Sequence, residues 1–283
     1  MPYGDVFTRI NREYYQLTGA ERKIADHIML QRQDCQYMSI SELAEAADVA
    51  EATVSRFCRR LGYKGYSAFK LAVAGYAAGK PVNPLYGEIA EEDDVSEMCR
   101  KLCAVNMESI TQTMNLIDPA VITAAGDLLA AAERVLCMGV GGSMVLAEEA
   151  AYLFSTVLPN FYAVSDAHCQ AIRCAMLTER DVALCYSYSG SAKDLVDVLK
   201  IAQERGAKTI LITHFPNSPG AACADLVLEC GARESPLQMG SVTARMGQLY
   251  LTDVLLHEVC RRDMEACHQR RRMAADALAD KHM

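Results

Sequence analysis

No apolar run in the 283 residues approaches the ~18 or more that a bilayer-crossing helix needs. Residues 1–11 have no apolar core behind a basic start, so no secretory leader is visible, and we expect a cytoplasmic protein without a membrane partner. None of the 12 cysteines forms a Cys-x-x-Cys pair. Cys137, Cys185 and Cys230 sit in or beside apolar strand-like runs, where a thiol acts as a small hydrophobe. Cys99 and Cys103 share a helix face, but no third and fourth zinc ligand follows nearby. We expect reduced, mostly buried thiols and no metal. Internal repeats and low-complexity blocks are also lacking.

The chain is long enough for two domains. Its net charge of −8 is unevenly spread. Residues 1–80 hold 11 basic and 9 acidic side chains, a balance of +2, and the remainder carries −10. No acid occurs from Ala52 to Gly87, while Arg56, Arg59, Arg60, Lys64, Lys70 and Lys80 all do. A local positive field of this kind is what phosphates would meet.

Thr18 with Glu21, and Ser39 with Glu42, form two capping-box patterns. They predict a helix over 18–31 and a short one from 39 to 47. Asp48-Val49 interrupts, and a further helix runs from Glu51 to Leu61, stopped by Gly62. Another, over 67–78, is amphipathic. Two prolines, two glycines and an acidic run then mark a linker. We divide the chain into residues 1–79, a linker over 80–94, and residues 95–283. Two helices, 95–116 and 119–132, are followed by short apolar strands at 135–139, 161–164, 182–186, 209–213 and 226–230, with helices between them. Such alternation predicts an α/β fold, a doubly wound, mainly parallel five-stranded sheet behind an all-helical N-terminal domain. Helices over 241–261 and 265–279 complete it.

Helices 39–47 and 51–61 have helix-turn-helix spacing. Leu43, Val49, Val54, Phe57 and Leu61 would form the inner face. The outer face of the second helix would carry Thr53, Ser55 and Arg56 toward bases or phosphates, with Arg59, Arg60 and Lys64 on the backbone of double-stranded DNA. A bland reading, three packed helices with a solvated basic face, is weakened by the acid-free stretch. The string from Ser41 to Tyr66, with Arg-Phe-Cys-Arg-Arg-Leu-Gly-Tyr and then Phe69-Lys70, resembles the N-terminal domain of RpiR-type regulators over residues 4–80. Ala50 departs from that pattern, which has Ser there, leaving Asp48 as the nearest substitute cap.

The first strand ends in Gly139-Val-Gly-Gly-Ser143, and the third in Ser187-Tyr-Ser-Gly-Ser191. Both loops open helices at carboxyl ends of strands, where backbone amides and hydroxyls suit a phosphate. Gly142, Ser143, Ser187, Ser189, Gly190 and Ser191 are therefore candidate ligands of that anion. A dinucleotide fingerprint is the rival, but its third glycine position is Met144; Asp166, after the second strand, keeps it open. No cofactor is assigned.

The pair of loops resembles the sugar isomerase (SIS) fold over residues 95–262. By that resemblance Ser143, Ser187 and Ser189 hold a sugar phosphate. The family's last loop threonine is Ala192 here, with Ser191 beside it as a partial replacement. Glu234 and His168 are candidates for sugar hydroxyls, against the alternatives of a solvated loop acid and a surface histidine. Ser241 and Arg245 either assist an anion or simply begin the last helix. Together the two resemblances imply a regulator of carbohydrate metabolism that binds an operator and a phosphorylated sugar effector as a homodimer or homotetramer, with no catalytic residue. The alternative is a sugar-phosphate isomerase or lyase with an accessory N-terminal domain. A third reading, a nucleotide-dependent oxidoreductase, rests on the fingerprint alone.

Overall fold

The computed structural model describes residues 6–32, 34–77, 89–231 and 241–279. Contacts divide these into two compact units, one running to Val105 and the other starting at Asn106.

The first unit is helical: α1 (Val6–Glu13), α2 (Gly19–Leu30), α3 (Ile40–Ala46), α4 (Glu51–Arg60) and α5 (Tyr66–Ala77). Both predicted capping boxes are formed. Thr18 Oγ1 accepts from the Glu21 amide at 3.4 Å and Glu21 Oε2 from the Thr18 amide at 2.9 Å. Ser39 and Glu42 repeat this at 3.1 and 2.7 Å. Gly62, at φ +86, ends α4: its amide reaches Arg59 O, and the Tyr63 amide reaches Cys58 O. That pair of bonds closes a helix with a left-handed residue just past the last turn. Ile24, Ile28, Leu43, Val54, Phe57, Phe69 and Val73 fill the core. Helix α1 is absent from the sequence expectations; it is short, with Val6, Phe7 and Ile10 buried.

Asp48 does not cap α4. Its backbone takes φ +50 to make the turn, and its carboxylate pairs with Lys23 Nζ at 2.6 Å. Ala50 occupies the cap position with no side-chain bond. Ala50→Ser is therefore expected to stabilise this unit by about 0.5–2 kcal/mol, read as a raised midpoint in urea denaturation followed by circular dichroism.

The second unit contains α7 (Pro119–Ala131), β1 (Val135–Gly139), α8 (Gly142–Ser155), β2 (Phe161–Ala163), α9 (Ala167–Cys174), β3 (Val182–Tyr186), α10 (Lys193–Glu204), β4 (Lys208–Thr213), β5 (Leu226–Glu229), α11 (Val242–Arg262) and α12 (Met264–Ala279). Helix α6 (Val95–Leu116) leads into it. The five strands are all parallel, in the order β2-β1-β3-β4-β5. Alternate strand residues feed two cores. Val135, Cys137, Leu184, Tyr186 and Ile212 pack with residues of α7, α8 and α11; Leu136, Met138, Cys185 and Leu211 pack with residues of α9 and α10. Complete burial of β1 and β3 explains their unbroken apolar sequence.

Eight of the 12 cysteines are buried, and Cys99, Cys103 and Cys169 are exposed. Among the described residues no group of three His, Cys, Asp or Glu side chains is placed to hold a metal. No single helix among them is long and apolar enough to cross a membrane.

Candidate functional site

In the helical unit, α4 turns Val54, Phe57 and Cys58 inward and leaves Glu51, Arg56 and Arg59 exposed, with Thr53 and Ser55 half-buried. Arg56 Nη2 donates to Thr53 Oγ1 at 3.1 Å, which orients the guanidinium along the outer face. Ser41 Oγ donates to Glu51 Oε1 at 2.5 Å, tying α3 to the start of α4. Lys64 is exposed just beyond the helix. Among the described residues no carboxylate pairs with Arg56, Arg59 or Lys64, so their charges face solvent.

Arg60 is different. Its guanidinium donates to Glu21 Oε2 at 3.2 Å and to Gln16 O at 2.7 Å. Burial works against the Glu21 carboxylate, but bonds from Thr18 and the Arg60 charge outweigh it and hold the group below its usual range. Arg60, still exposed to solvent, thus also ties α4 to the start of α2 and to the turn before it.

In the sheet unit the strand order reverses between β1 and β3. Their following helices leave on opposite faces, which opens a crevice at the carboxyl ends. Gly139 lies opposite Tyr186 in register, so the loops after these two strands are neighbours. A Cβ at Gly139 would stand 2.7 Å from Ser143 O, so glycine lets α8 close against the strand end. Gly141, at φ +59, is the N-cap of α8, and Gly142 and Ser143 form its first turn.

The second loop is held tightly. Ser187 is nearly buried, and its Oγ accepts from the Gly190 amide at 3.0 Å. Gly190 has φ +59, and any Cβ there would overlap Ser218 Oγ at 1.9 Å. From the loop after β4, the Gly220 amide donates to Gly190 O and the His214 amide to Tyr188 O. Ser189 and Ser191 remain exposed, bonded to each other through Ser191 Oγ and Ser189 O at 3.0 Å. Ala192 takes the N-cap of α10 with no side-chain bond.

Helices α7, α9 and α11 are capped by Asp118, Asp166 and Ser241, whereas α8 and α10 have no side-chain cap. The two open N-termini are those that follow β1 and β3. Their dipole ends and early amides suit an anion, and the serine hydroxyls stand beside them. Asp166 is spent as the α9 cap, its Oδ1 accepting from the Cys169 amide at 2.9 Å.

His168 is exposed on the first turn of α9, one strand farther out. Glu234 lies outside the described residues. Ser241 begins α11 as its cap, accepting from the Ala244 amide at 3.1 Å. Gln170 was not singled out in the sequence. It is fully buried, and its Nε2 donates to Gly139 O at 2.9 Å and Val164 O at 2.7 Å, pinning the ends of β1 and β2 together. A glutamine on the inward stripe of a short helix was the available signal. A cavity of about 280 Å³ lined by Arg134, Leu136, Tyr162, Arg173 and Leu177 includes neither serine loop.

The model of the rpiR-family helix-turn-helix domain matches residues 4–80, and that of the SIS domain matches residues 128–258. An HTH-type transcriptional regulator of Caldanaerobacter subterraneus is 34% identical over 89% of each chain. The regulator HexR of Pseudomonas aeruginosa is 32% identical over 89% of this chain and 87% of its own. The structure of Vibrio vulnificus NanR complexed with ManNAc-6P is similar at a TM-score of 0.89 and 25% identity, covering 98% of this chain and 99% of that one. An rpiR-type DNA-reading motif followed by a SIS domain, with relatives alike over nearly the whole length, places the chain in the RpiR family of HTH-type transcriptional regulators.

Proposed function

We propose that this regulator senses a phosphorylated sugar in the crevice between the loops after β1 and β3, and that the ligand modulates its grip on an operator. One observation carries the reading: two neighbouring Gly/Ser loops open two uncapped helices at the topological switch point. The phosphate would take donors from Ser143, Ser187, Ser189 and Ser191 and from the backbone at Gly142 and Gly190. Glu234 and His168 would serve the sugar hydroxyls. The complex of NanR with ManNAc-6P supports a phosphosugar as the ligand class.

The site is read as a binding site without catalysis. An isomerase needs a base and an acid placed on opposite sides of the reacting carbons. The hydroxyl-rich loops supply donors, and no such pair is assigned to them. The protein would work in the cytoplasm as a homodimer or homotetramer, with residues 1–79 reading DNA, 80–94 linking, and 95–283 sensing. Two copies of α4 would meet half-sites about one turn of the duplex, or a multiple of it, apart. Ligand moves that arrangement only through its affinity difference between the two states.

On the DNA side, Arg56, Thr53 and Ser55 would reach bases or phosphates, and Arg59, Arg60 and Lys64 the backbone. Arg56→Ala is expected to weaken duplex binding by about 1–3 kcal/mol without changing ligand binding, measured by mobility shift and calorimetry. Arg60→Ala should in addition lower the melting temperature of the helical unit, since it frees Glu21 and Gln16. A thermal-shift screen against phosphorylated sugars and amino sugars tests the sensor, because a ligand that favours the folded state raises the melting temperature. A silent screen would sink the sensor reading, and aldose–ketose turnover by the pure protein would return the isomerase.

A further inference from the structure

Two hydrogen-bond donors on α11 lack an acceptor among the described residues. Gln248 is 2% exposed, and its Nε2 has no partner; Arg245 Nε is buried and also unpartnered. Native interiors leave roughly one buried polar group in ten, or fewer, unsatisfied. An orphan is costly, about 1–3 kcal/mol, so two on one helix call for a partner beyond the described residues.

Their position says where that partner sits. Residues 245, 248 and 252 follow one stripe of the helix, at spacings of three and four. Thr252 Oγ1 bonds Tyr186 Oη at 2.8 Å, and Tyr186 is the last residue of β3, next to Ser187. The direction of α11 is fixed at both ends. Near its start, a Cβ at Gly247 would stand 3.0 Å from the carbonyl of Gly231, just past β5. At its other end Arg262 donates to Asp127 and to Thr123 O of α7, the helix that leads into the amino end of β1. Gln248 therefore stands about 6 Å, and Arg245 about 10 Å, farther along the helix than Thr252 toward the carboxyl ends of the strands. Those are the ends that carry the Gly139–Ser143 and Ser187–Ser191 loops.

Both orphans donate, and one belongs to a charged group. An amide N–H and a guanidinium N–H are best satisfied by an oxygen that only accepts, a carbonyl or a carboxylate. We propose that Gln248, with Arg245, reads such an oxygen on the part of the effector away from its phosphate. The effector is then a phosphosugar bearing an acyl-amide carbonyl or a carboxylate, and a plain hexose phosphate is a poor ligand. The inference rests on the phosphosugar reading above and adds a specificity determinant to it.

The test is calorimetric titration of the full chain with ManNAc-6P (amide carbonyl), gluconate 6-phosphate (carboxylate) and glucose 6-phosphate (neither). The unaltered protein should prefer one of the first two by about tenfold or more, the scale of one buried hydrogen bond. Whichever is preferred identifies the acceptor. Gln248→Met keeps the length and removes the donor; it should erase the preference while holding glucose 6-phosphate within about threefold. It should also raise the melting temperature of the ligand-free protein, because an unsatisfied donor has gone. Arg245→Met, at a less buried position, gives the same direction of loss if the first variant does not fold. Phosphosugar binding with no preference, or a preference that survives both substitutions, overturns the inference and leaves the sensor intact. Silence toward all three ligands overturns the sensor reading as well.

Discussion

Replacing Arg134 by alanine is expected to cost the sheet unit about 1–3 kcal/mol, more than Asp181→Ala costs. The order follows from which partner is left behind. The Asp181 side chain is wholly buried, while Arg134 is 43% exposed. The carboxylate accepts from Arg134 Nε at 3.0 Å and Nη2 at 2.6 Å, and from Thr178 N and Oγ1 at 2.7 and 3.0 Å. Removing the acid releases a guanidinium that turns to water; removing the base strands a buried anion. Burial favours the neutral acid, but the Arg134 and Thr178 bonds outweigh it and hold the Asp181 carboxyl below its usual range. A group lowered in the folded state stabilises the protein above its unfolded value of about 4. That contribution disappears as pH falls through the lower folded value. In Arg134→Ala burial has less to oppose it, so the carboxyl titrates upward and the deficit against the parent shrinks on acidification. Urea denaturation of both proteins at pH 7 and below pH 4 measures this. An equal deficit at both would show that Asp181 is not held charged by Arg134.

Arg134 and Asp181 precede β1 and β3, at the amino ends of the strands, whereas the serine loops leave the carboxyl ends. The same two central strands thus carry an ion pair at one end and the candidate ligand site at the other. Ligand affinity in Arg134→Ala, measured where the protein is still folded, should be unchanged, which separates stability from recognition.

What the sequence disclosed was governed by range. Thr18 with Glu21, Ser39 with Glu42, and Gly62 act within one helical turn, and the structure forms all three as expected. Strands β1 and β3 were legible because burial on both faces imposes unbroken apolar runs. The structural bond of Arg60 is hidden in the string because Glu21, its partner, is 39 residues away and on another helix. Asp48 looks like a cap in the string, which shows its carboxylate but not Lys23, brought close by packing. Gln170 and Gln248 were passed over for the same reason. A glutamine in a helix reads as solvated until the fold shows it buried. The serine loops stood out because their chemistry is local, a run of hydroxyls and glycines between a strand and a helix.

Alanine at both Ser187 and Ser189 is expected to weaken phosphosugar binding by about 100-fold or more, with operator binding in the absence of ligand unchanged. Ser187 Oγ already accepts from the Gly190 amide, so its own proton is available to an oxyanion. The hydroxyl is nearly buried, and a donor removed from water interacts more strongly with charge. Ser189 adds an exposed hydroxyl two residues on, next to the uncapped start of α10. Hydrogen bonds to a charged group contribute about 1.5–3 kcal/mol each, and two together reach the stated loss. The turn itself should survive, because the Gly190 amide also bonds Ser187 O at 3.3 Å and Gly220 still clamps Gly190 O. Calorimetry gives the affinity, and mobility shifts with and without effector give the response. If the doubly substituted protein still answers the effector on DNA, the phosphate is held elsewhere, and the crevice between β1 and β3 is not the sensor.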